Sequence, residues 1–193
     1  MRLFVGLDLP EEIRAEIVDF MEEMKRVAPS AKWVRPESLH ITLKFIGESK
    51  RPDEVKAALA QVSAPRFDVS FSGTGFFTPR SPRVFWVGIQ ANAELPRLAG
   101  AIDAALKPLG VHEEDHEYRP HLTLARIGSG RPAGAKGDRN KPKMYQLKQA
   151  VDRDPKLLDR HFGTMIATEF FLYESKLMRG GAQYTKIARY PLF

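Results

Sequence analysis

The chain of 193 residues is 43% hydrophobic, which predicts a folded protein with an ample core, and its lack of cysteine excludes disulfides, thiolate catalysis and zinc–thiolate sites. The formal net charge of +6 favours an anionic partner but does not identify one. The N-terminus becomes acidic too early for a signal peptide, and no apolar run reaches the roughly 18 residues of a membrane span, so we expect a cytoplasmic protein with no membrane partner.

The first half of the chain predicts alternating strands and helices. Ile13, Ile17 and Phe20 recur at the spacing of one helix face. Phe67 and Val69 alternate with polar residues, as in a strand that is buried on one side. We predict strands over residues 2–8, 31–35, 39–46 and 66–76, with helices over 10–27 and near 52–62.

The second half continues in the same way around another long helix. Residues 83–89 are nearly all apolar, which is typical of a strand in the middle of a sheet. One helix is predicted over residues 94–109, and another from residue 143 onward with Met144 and Leu147 buried. The other predicted strands cover residues 118–127, 164–173 and 183–190, with a hairpin turn at 179–181.

Two predicted strands carry the same motif, histidine-x-threonine within an apolar run, at His40 and again at His121. Because side chains alternate along a strand, His40 and Thr42 share one face, with Phe45 on the opposite, apolar face. His121 and Thr123 share a face in the same way. Imidazole exchanges protons near neutral pH, and a hydroxyl donates hydrogen bonds to phosphate oxygens. One copy is weak evidence, since such a pattern is often structural. Two copies facing one cleft supply a base, an acid and two donors, a complete set for cleaving a phosphodiester without a metal.

These motifs and their surroundings resemble the two-histidine phosphoesterases, and within them the RNA 2′,3′-cyclic phosphodiesterases, also called 2′-5′ RNA ligases. The similarity extends to residues 1–10, 33–40 and 118–121, which lead into the first strand and the two motifs. The resemblance implies an α+β fold over residues 1–193, a single domain of two pseudo-symmetric lobes. Each lobe is expected to be an antiparallel sheet with helices packed outside, and the active-site cleft lies between them. The order of elements also suggests two similar lobes, and we expect the motif strands side by side at the cleft.

The resemblance implies hydrolysis of RNA or oligonucleotide 2′,3′-cyclic phosphate ends to 2′-phosphomonoesters, with reverse 2′-5′ RNA ligation possible. It assigns His40 as proton donor and His121 as proton acceptor, with Thr42, Thr123 and Arg126 binding the phosphate. We expect no cofactor, no metal and a monomer. Two other functions stay open from the residues alone: a phosphodiesterase for a small cyclic nucleotide, and a non-catalytic RNA-binding module.

For two basic residues near the motifs, the sequence leaves two orientations of the side chain open. Strict alternation from His121 places Arg126 on the apolar face, so the strand must either end or bulge at Ala125 to turn this side chain toward the phosphate. Lys44 shares the predicted face of His40, which places it either near the phosphate or on the surface beyond the cleft.

Two further segments have alternative interpretations. Residues 126–148 are rich in lysine, arginine and glycine, which predicts either a basic flap that contacts RNA or a solvated loop. His112 and His116 have the spacing of helical metal ligands, but Gly110 and Pro120 flank them, so exposed loop histidines are the favoured interpretation.

Overall fold

The computed structural model describes residues 1–29, 31–77, 82–112, 117–126, 141–178 and 181–193, including the backbone but not the side chains of 141–143. The strands are β1 (Arg2–Leu7), β2 (Lys32–Trp33), β3 (Ile41–Glu48), β4 (Phe67–Phe77), β5 (Val84–Ala91), β6 (His121–Arg126), β7 (His161–Ala167), β8 (Glu169–Met178) and β9 (Gly181–Pro191). The helices are α1 (Glu11–Lys25), α2 (Pro52–Leu59), α3 (Glu94–Leu106), α4 (Lys141–Arg153) and α5 (Pro155–Leu158), with short 3₁₀ turns at Pro36–Ser38 and Lys107–Leu109.

These strands form two antiparallel sheets. Sheet one has the order β3-β1-β8-β9, and sheet two has the order β2-β6-β5-β4-β7. Helix α3 packs on β3 of sheet one with α2 beside it, while α1, α4 and α5 pack on β4 and β7 of sheet two. The predicted α+β class with two antiparallel lobes is therefore confirmed.

The lobes are not consecutive halves of the chain. Strand β1 pairs with β3 on one side and with β8 on the other, so sheet one joins the two ends of the sequence. The helices cross over as well, since α1 follows a strand of sheet one but packs on sheet two. The motif strands β3 and β6 lie in different sheets and are not paired with each other. They are therefore neighbours across the cleft, as expected, but not adjacent strands of one sheet.

Most predicted elements are confirmed with small boundary shifts, and β5 is the central strand of sheet two. The predicted strand over 164–173 is wrong as one element, because β7 and β8 meet at Thr168 and belong to different sheets. The hairpin near 180 is confirmed by the pairing of Met178 with Gly181, although the turn residues 179–180 lie outside the described part.

Most of the core is one cluster of buried side chains that takes in residues of both sheets and of the helices. A second, smaller cluster consists of Phe4, Phe171 and Tyr173, with Tyr184 packed against it. On α1, the predicted apolar face is buried from Ile13 to Met24. On α4, Met144 and Leu147 are buried, as predicted. No helix in the described ranges is long and apolar enough to cross a membrane.

Candidate active site

His40 stands just before β3, held by the 3₁₀ turn at Pro36–Ser38. Its Nδ1 lies 2.7 Å from the carbonyl oxygen of Ser38, so the ring is protonated there and donates to that oxygen. Its Nε2 lies 3.0 Å from the Thr42 hydroxyl. In the neutral ring the hydroxyl therefore donates to the single lone pair of Nε2.

His121 is the first residue of β6 and is held in the same way. Its Nδ1 lies 2.9 Å from the carbonyl oxygen of Arg119. In both motifs, the histidine Nδ1 therefore contacts the carbonyl oxygen of the residue two positions earlier. The Phe77 ring meets the imidazole edge-on, with ring centroids 4.7 Å apart. Both histidines thus have a fixed tautomer and an unprotonated Nε2 that can accept a proton.

The five residues predicted from the sequence line one cavity of about 220 Å³, which we call the phosphate cavity. It brings together the two imidazoles and the two threonine hydroxyls from opposite sheets, with the Arg126 guanidinium beside them. Arg126 Nη2 lies 3.3 Å from the Thr123 hydroxyl oxygen and donates to it. The remaining lining residues are Arg2, Val34, Ser38, Phe45 and Tyr184.

A β-bulge turns Arg126 into this cavity. Along β6, Phe85 of β5 pairs with Ala125 and the next residue, Trp86, pairs with Thr123, so Leu124 is an extra residue. Leu124 and Ala125 are both buried, and the alternation restarts with Arg126 on the face of Thr123. The predicted bulge is confirmed, but the extra residue is Leu124, one position before Ala125.

The first motif strand has a bulge at the matching position. Val5 of β1 pairs with Lys44 and Gly6 pairs with Thr42, so Leu43 is the extra residue. Beyond it, Phe45 faces the cleft and is 55% exposed, although strict alternation placed it on the apolar face. Phe45 therefore occupies in the first motif the place that Arg126 occupies in the second.

Both interpretations of Lys44 are wrong because of this bulge. Its side chain is buried behind the strand, forms an ion pair with Asp103 of α3, and donates to the His112 carbonyl oxygen at 2.6 Å. Lys44 therefore ties the motif strand to α3 and has no contact with the phosphate cavity.

The environment of each imidazole favours its neutral form. Burial lowers the pKa of His40 from 6.5 to about 4, outweighing the Ser38 hydrogen bond, and the Arg126 charge lowers it further. The rings of Phe4 and Tyr184 exclude water, with centroids 4.6 and 5.2 Å from that of His40. Burial and Arg126 also lower the pKa of His121. Both rings are therefore uncharged at neutral pH in the free protein.

Sequence reasoning missed five residues of the cavity wall, and three of them have long side chains: Arg2, Phe45 and Tyr184. Arg2 and Tyr184 come from opposite ends of the chain, and only the β3-β1-β8-β9 order brings them beside His40. The segment 113–116 and most of the basic segment, 127–140, lie outside the described residues. Among the described side chains, no group of three or more histidines and carboxylates is arranged to hold a metal ion.

The family model of the 2′-5′ RNA ligase superfamily matches residues 9–152. The chain therefore belongs to this superfamily, as the motifs predicted. An RNA 2′,3′-cyclic phosphodiesterase of Archaeoglobus fulgidus is 34% identical over 187 residues, which is 95% of this chain and 96% of that protein.

Solved structures agree with this assignment. The crystal structure of TT0787 of Thermus thermophilus superposes with a TM-score of 0.76 at 27% identity, covering 99% of this chain and 97% of the other. The structure of Escherichia coli LigT complexed with 3′-AMP has a TM-score of 0.74 at 25% identity and the same coverage. The chain thus resembles proteins of this superfamily over nearly its whole length.

Proposed function

We propose that this protein hydrolyses the 2′,3′-cyclic phosphate end of an RNA or oligonucleotide to a 2′-phosphomonoester, using two histidines and no cofactor. His121 takes a proton from water, which attacks phosphorus. His40 gives a proton to the departing 3′ oxygen. The Thr42 and Thr123 hydroxyls and the Arg126 guanidinium bind the non-bridging oxygens and stabilise their growing charge.

The observation that carries this proposal is that both imidazoles line one cavity, the phosphate cavity. An in-line displacement needs the base and the acid on opposite sides of phosphorus, and each imidazole here comes from a different sheet. The name of the Archaeoglobus relative, an RNA 2′,3′-cyclic phosphodiesterase, supports the choice of substrate. Both lobes of one copy line the cavity, so we propose that a monomer suffices for the reaction.

The protonation of the free protein requires one further step. Because burial lowers both imidazole pKa values, His40 must gain a proton before it can act as an acid. A bound phosphodiester carries a negative charge next to both rings and offsets the charge of Arg126, so it raises both pKa values. Substrate binding should therefore be accompanied by proton uptake, and the donor role proposed for His40 requires that one proton resides there until the 3′ oxygen leaves.

The test is a turnover assay with an oligoribonucleotide that carries a 2′,3′-cyclic phosphate, in EDTA, followed by identification of the product end. We expect a 2′-phosphomonoester and activity that survives chelation. His40→Ala and His121→Ala should each lose roughly 10²–10⁴-fold in turnover, the usual effect of a positioned acid or base. His161→Ala, which changes an exposed histidine at the start of β7, should turn over normally.

A 3′-phosphomonoester product, or a His121→Ala variant with near-normal turnover, would contradict the proposed roles. The double variant gives a second criterion. Because the two histidines act on one transfer, its loss should be far smaller than the product of the two single losses.

A further inference from the structure

Three cavities meet at the catalytic residues. The phosphate cavity continues on the His40 side into a cavity of about 640 Å³, with which it shares Ser38, His40 and Tyr184. On the other side it continues into a cavity of about 430 Å³ against helix α3, with which it shares Thr42, Phe45 and His121. We call the cavity of about 430 Å³ the α3 cavity. The two outer cavities share no lining residue, so each histidine has its own.

The side on which a cavity lies decides what it can hold. In an in-line displacement, the attacking molecule lies on the same side of phosphorus as the base. The base proposed here is His121. Hydrolysis needs only a water molecule on that side. The α3 cavity is much larger, within the range of about 300–1,000 Å³ that is typical of small-molecule sites. The size of the α3 cavity therefore indicates an attacking molecule that is larger than water.

The walls of the α3 cavity suit a nucleoside. Phe45 and Phe77 supply aromatic faces, and helix α3 presents small residues that leave the space open. The polar wall includes the Glu117 carboxylate, which can accept from the amino group of a base. Within the described part of the chain Glu117 has no hydrogen bond or ion pair of its own. The α3 residues in the lining are Pro96, Ala99, Gly100 and Asp103.

We infer that the α3 cavity binds the nucleoside that carries the 5′-hydroxyl when this enzyme joins RNA ends, and the same nucleoside when a 2′-5′ linkage is cleaved. This inference rests on the proposed function and adds a second substrate site to it. In joining, the 5′ oxygen bonds to phosphorus and the bond from phosphorus to the 3′ oxygen breaks. The proton of the 5′-hydroxyl passes to His121, and His40 gives its proton to the 3′ oxygen. The products are a 2′-5′ phosphodiester and a free 3′-hydroxyl, with no further reactant.

Filling the cavity from α3 separates this role from hydrolysis. Gly100 is helical, and a Cβ built on it meets no atom within 4 Å, so a larger side chain extends into open space. Leucine also favours a helix more than glycine does, and Gly100→Leu should therefore fold. Ala104→Leu adds the same side chain at an exposed position of the same helix, outside the cavity, and is the matched control.

Each protein is assayed on two substrates: a 2′-5′-linked diadenosine monophosphate, measured by release of adenosine, and 2′,3′-cyclic AMP, measured by hydrolysis. Gly100→Leu should lose roughly 5- to 150-fold in kcat/KM on the dinucleotide, the range for one lost base stack, with hydrolysis of the cyclic mononucleotide unchanged. Gly100→Ala should lose less, and Ala104→Leu should change neither activity. Hydrolysis by the same preparation shows that each variant is folded.

The alternative outcomes are distinct. Equal losses on both substrates would overturn the inference, because the cavity would then hold the nucleoside of the cyclic phosphate itself. A wild-type protein that hydrolyses the cyclic phosphate but does not cleave the dinucleotide would overturn it as well, and would leave the proposed function standing. A wild-type protein inactive on both substrates and also on the oligoribonucleotide with a cyclic phosphate end would refute the proposed function too.

Discussion

Replacing His40 with glutamine should change how the protein responds to acid. In the folded protein burial lowers the pKa of His40 to about 4, while in the unfolded chain it is near 6.5. Between these values the unfolded state binds more protons than the folded state, so the free energy of unfolding falls as the pH falls from 6.5 toward 4. The full difference corresponds to about 3 kcal/mol. Glutamine has a similar size and does not titrate, so His40→Gln should lose this dependence.

The measurement is urea unfolding at pH 7.5 and pH 4.5 for both proteins. Wild type should lose roughly 2–3 kcal/mol more than His40→Gln over this interval. Other groups make acid destabilising too, but equally in both proteins. For Asp8, burial raises the pKa, yet hydrogen bonds from Lys186 and the Leu9 amide outweigh it and leave the pKa lowered. His161→Gln, at an exposed site, is the matched control and should keep the wild-type loss.

Equal acid losses for wild type and His40→Gln would refute the reasoning, since they would show that His40 is not held neutral in the folded state. A bound phosphate analogue gives a further check. Because an anion next to the ring raises its pKa, saturating analogue should shrink the difference between the two proteins in the same interval.

Three further changes test single contacts. Thr42→Val and Thr123→Val delete one oxyanion donor each and should lose roughly 10–10³-fold in turnover, as measured by pH–rate profiles. Thr123→Val should leave the pH optimum in place, whereas Thr42→Val also removes the hydrogen bond to His40 Nε2 and should shift the limb of the profile that His40 sets. Leu124→Val should instead lower stability by about 1 kcal/mol in a denaturation experiment and leave turnover of the folded protein intact. Asp103→Asn should cost up to about 3–5 kcal/mol in urea unfolding because it removes the negative charge beside the buried Lys44 ammonium, which keeps its hydrogen bond to the His112 carbonyl oxygen. Lys44→Met should cost less, since the side chain of Asp103 is 29% exposed and keeps contact with water.

The parts of the site that follow a local period were predictable from the sequence. His40 and Thr42 lie on one face because only one residue separates them, and the same holds for His121 and Thr123. The buried face of α1 follows a helical period and was predicted for the same reason. Such patterns depend on the few residues around them and not on the partners of the strand.

The parts that depend on pairing were not predictable. A bulge changes the phase of a strand, and it is visible only against the neighbouring strand, as in the pairing of Gly6 with Thr42. For this reason Lys44 was placed on the cleft face when it is buried, and Phe45 on the apolar face when it lines the cavity. The choice of sheet for β8 depends on contacts with β1, which lies at the opposite end of the sequence.

The paired bulges explain how two identical motifs produce two different chemical environments. Each motif strand presents histidine, threonine and then, after the bulge, one more side chain to the phosphate cavity. In sheet two this side chain is Arg126, which brings a permanent positive charge beside Thr123. In sheet one it is Phe45, whose ring lies next to that of Phe4. The rings of Phe4 and Tyr184 in turn pack against His40.

The sheet-two side of the cavity therefore attracts the anion, and the sheet-one side excludes water. A proton taken up by His40 when the phosphate binds lies in surroundings that favour its release, because burial destabilises the imidazolium. A ring in such surroundings is a strong acid, which is what protonation of a departing alkoxide requires. The side chain after each bulge thus gives the two histidines different surroundings, although the two histidine-x-threonine motifs are the same.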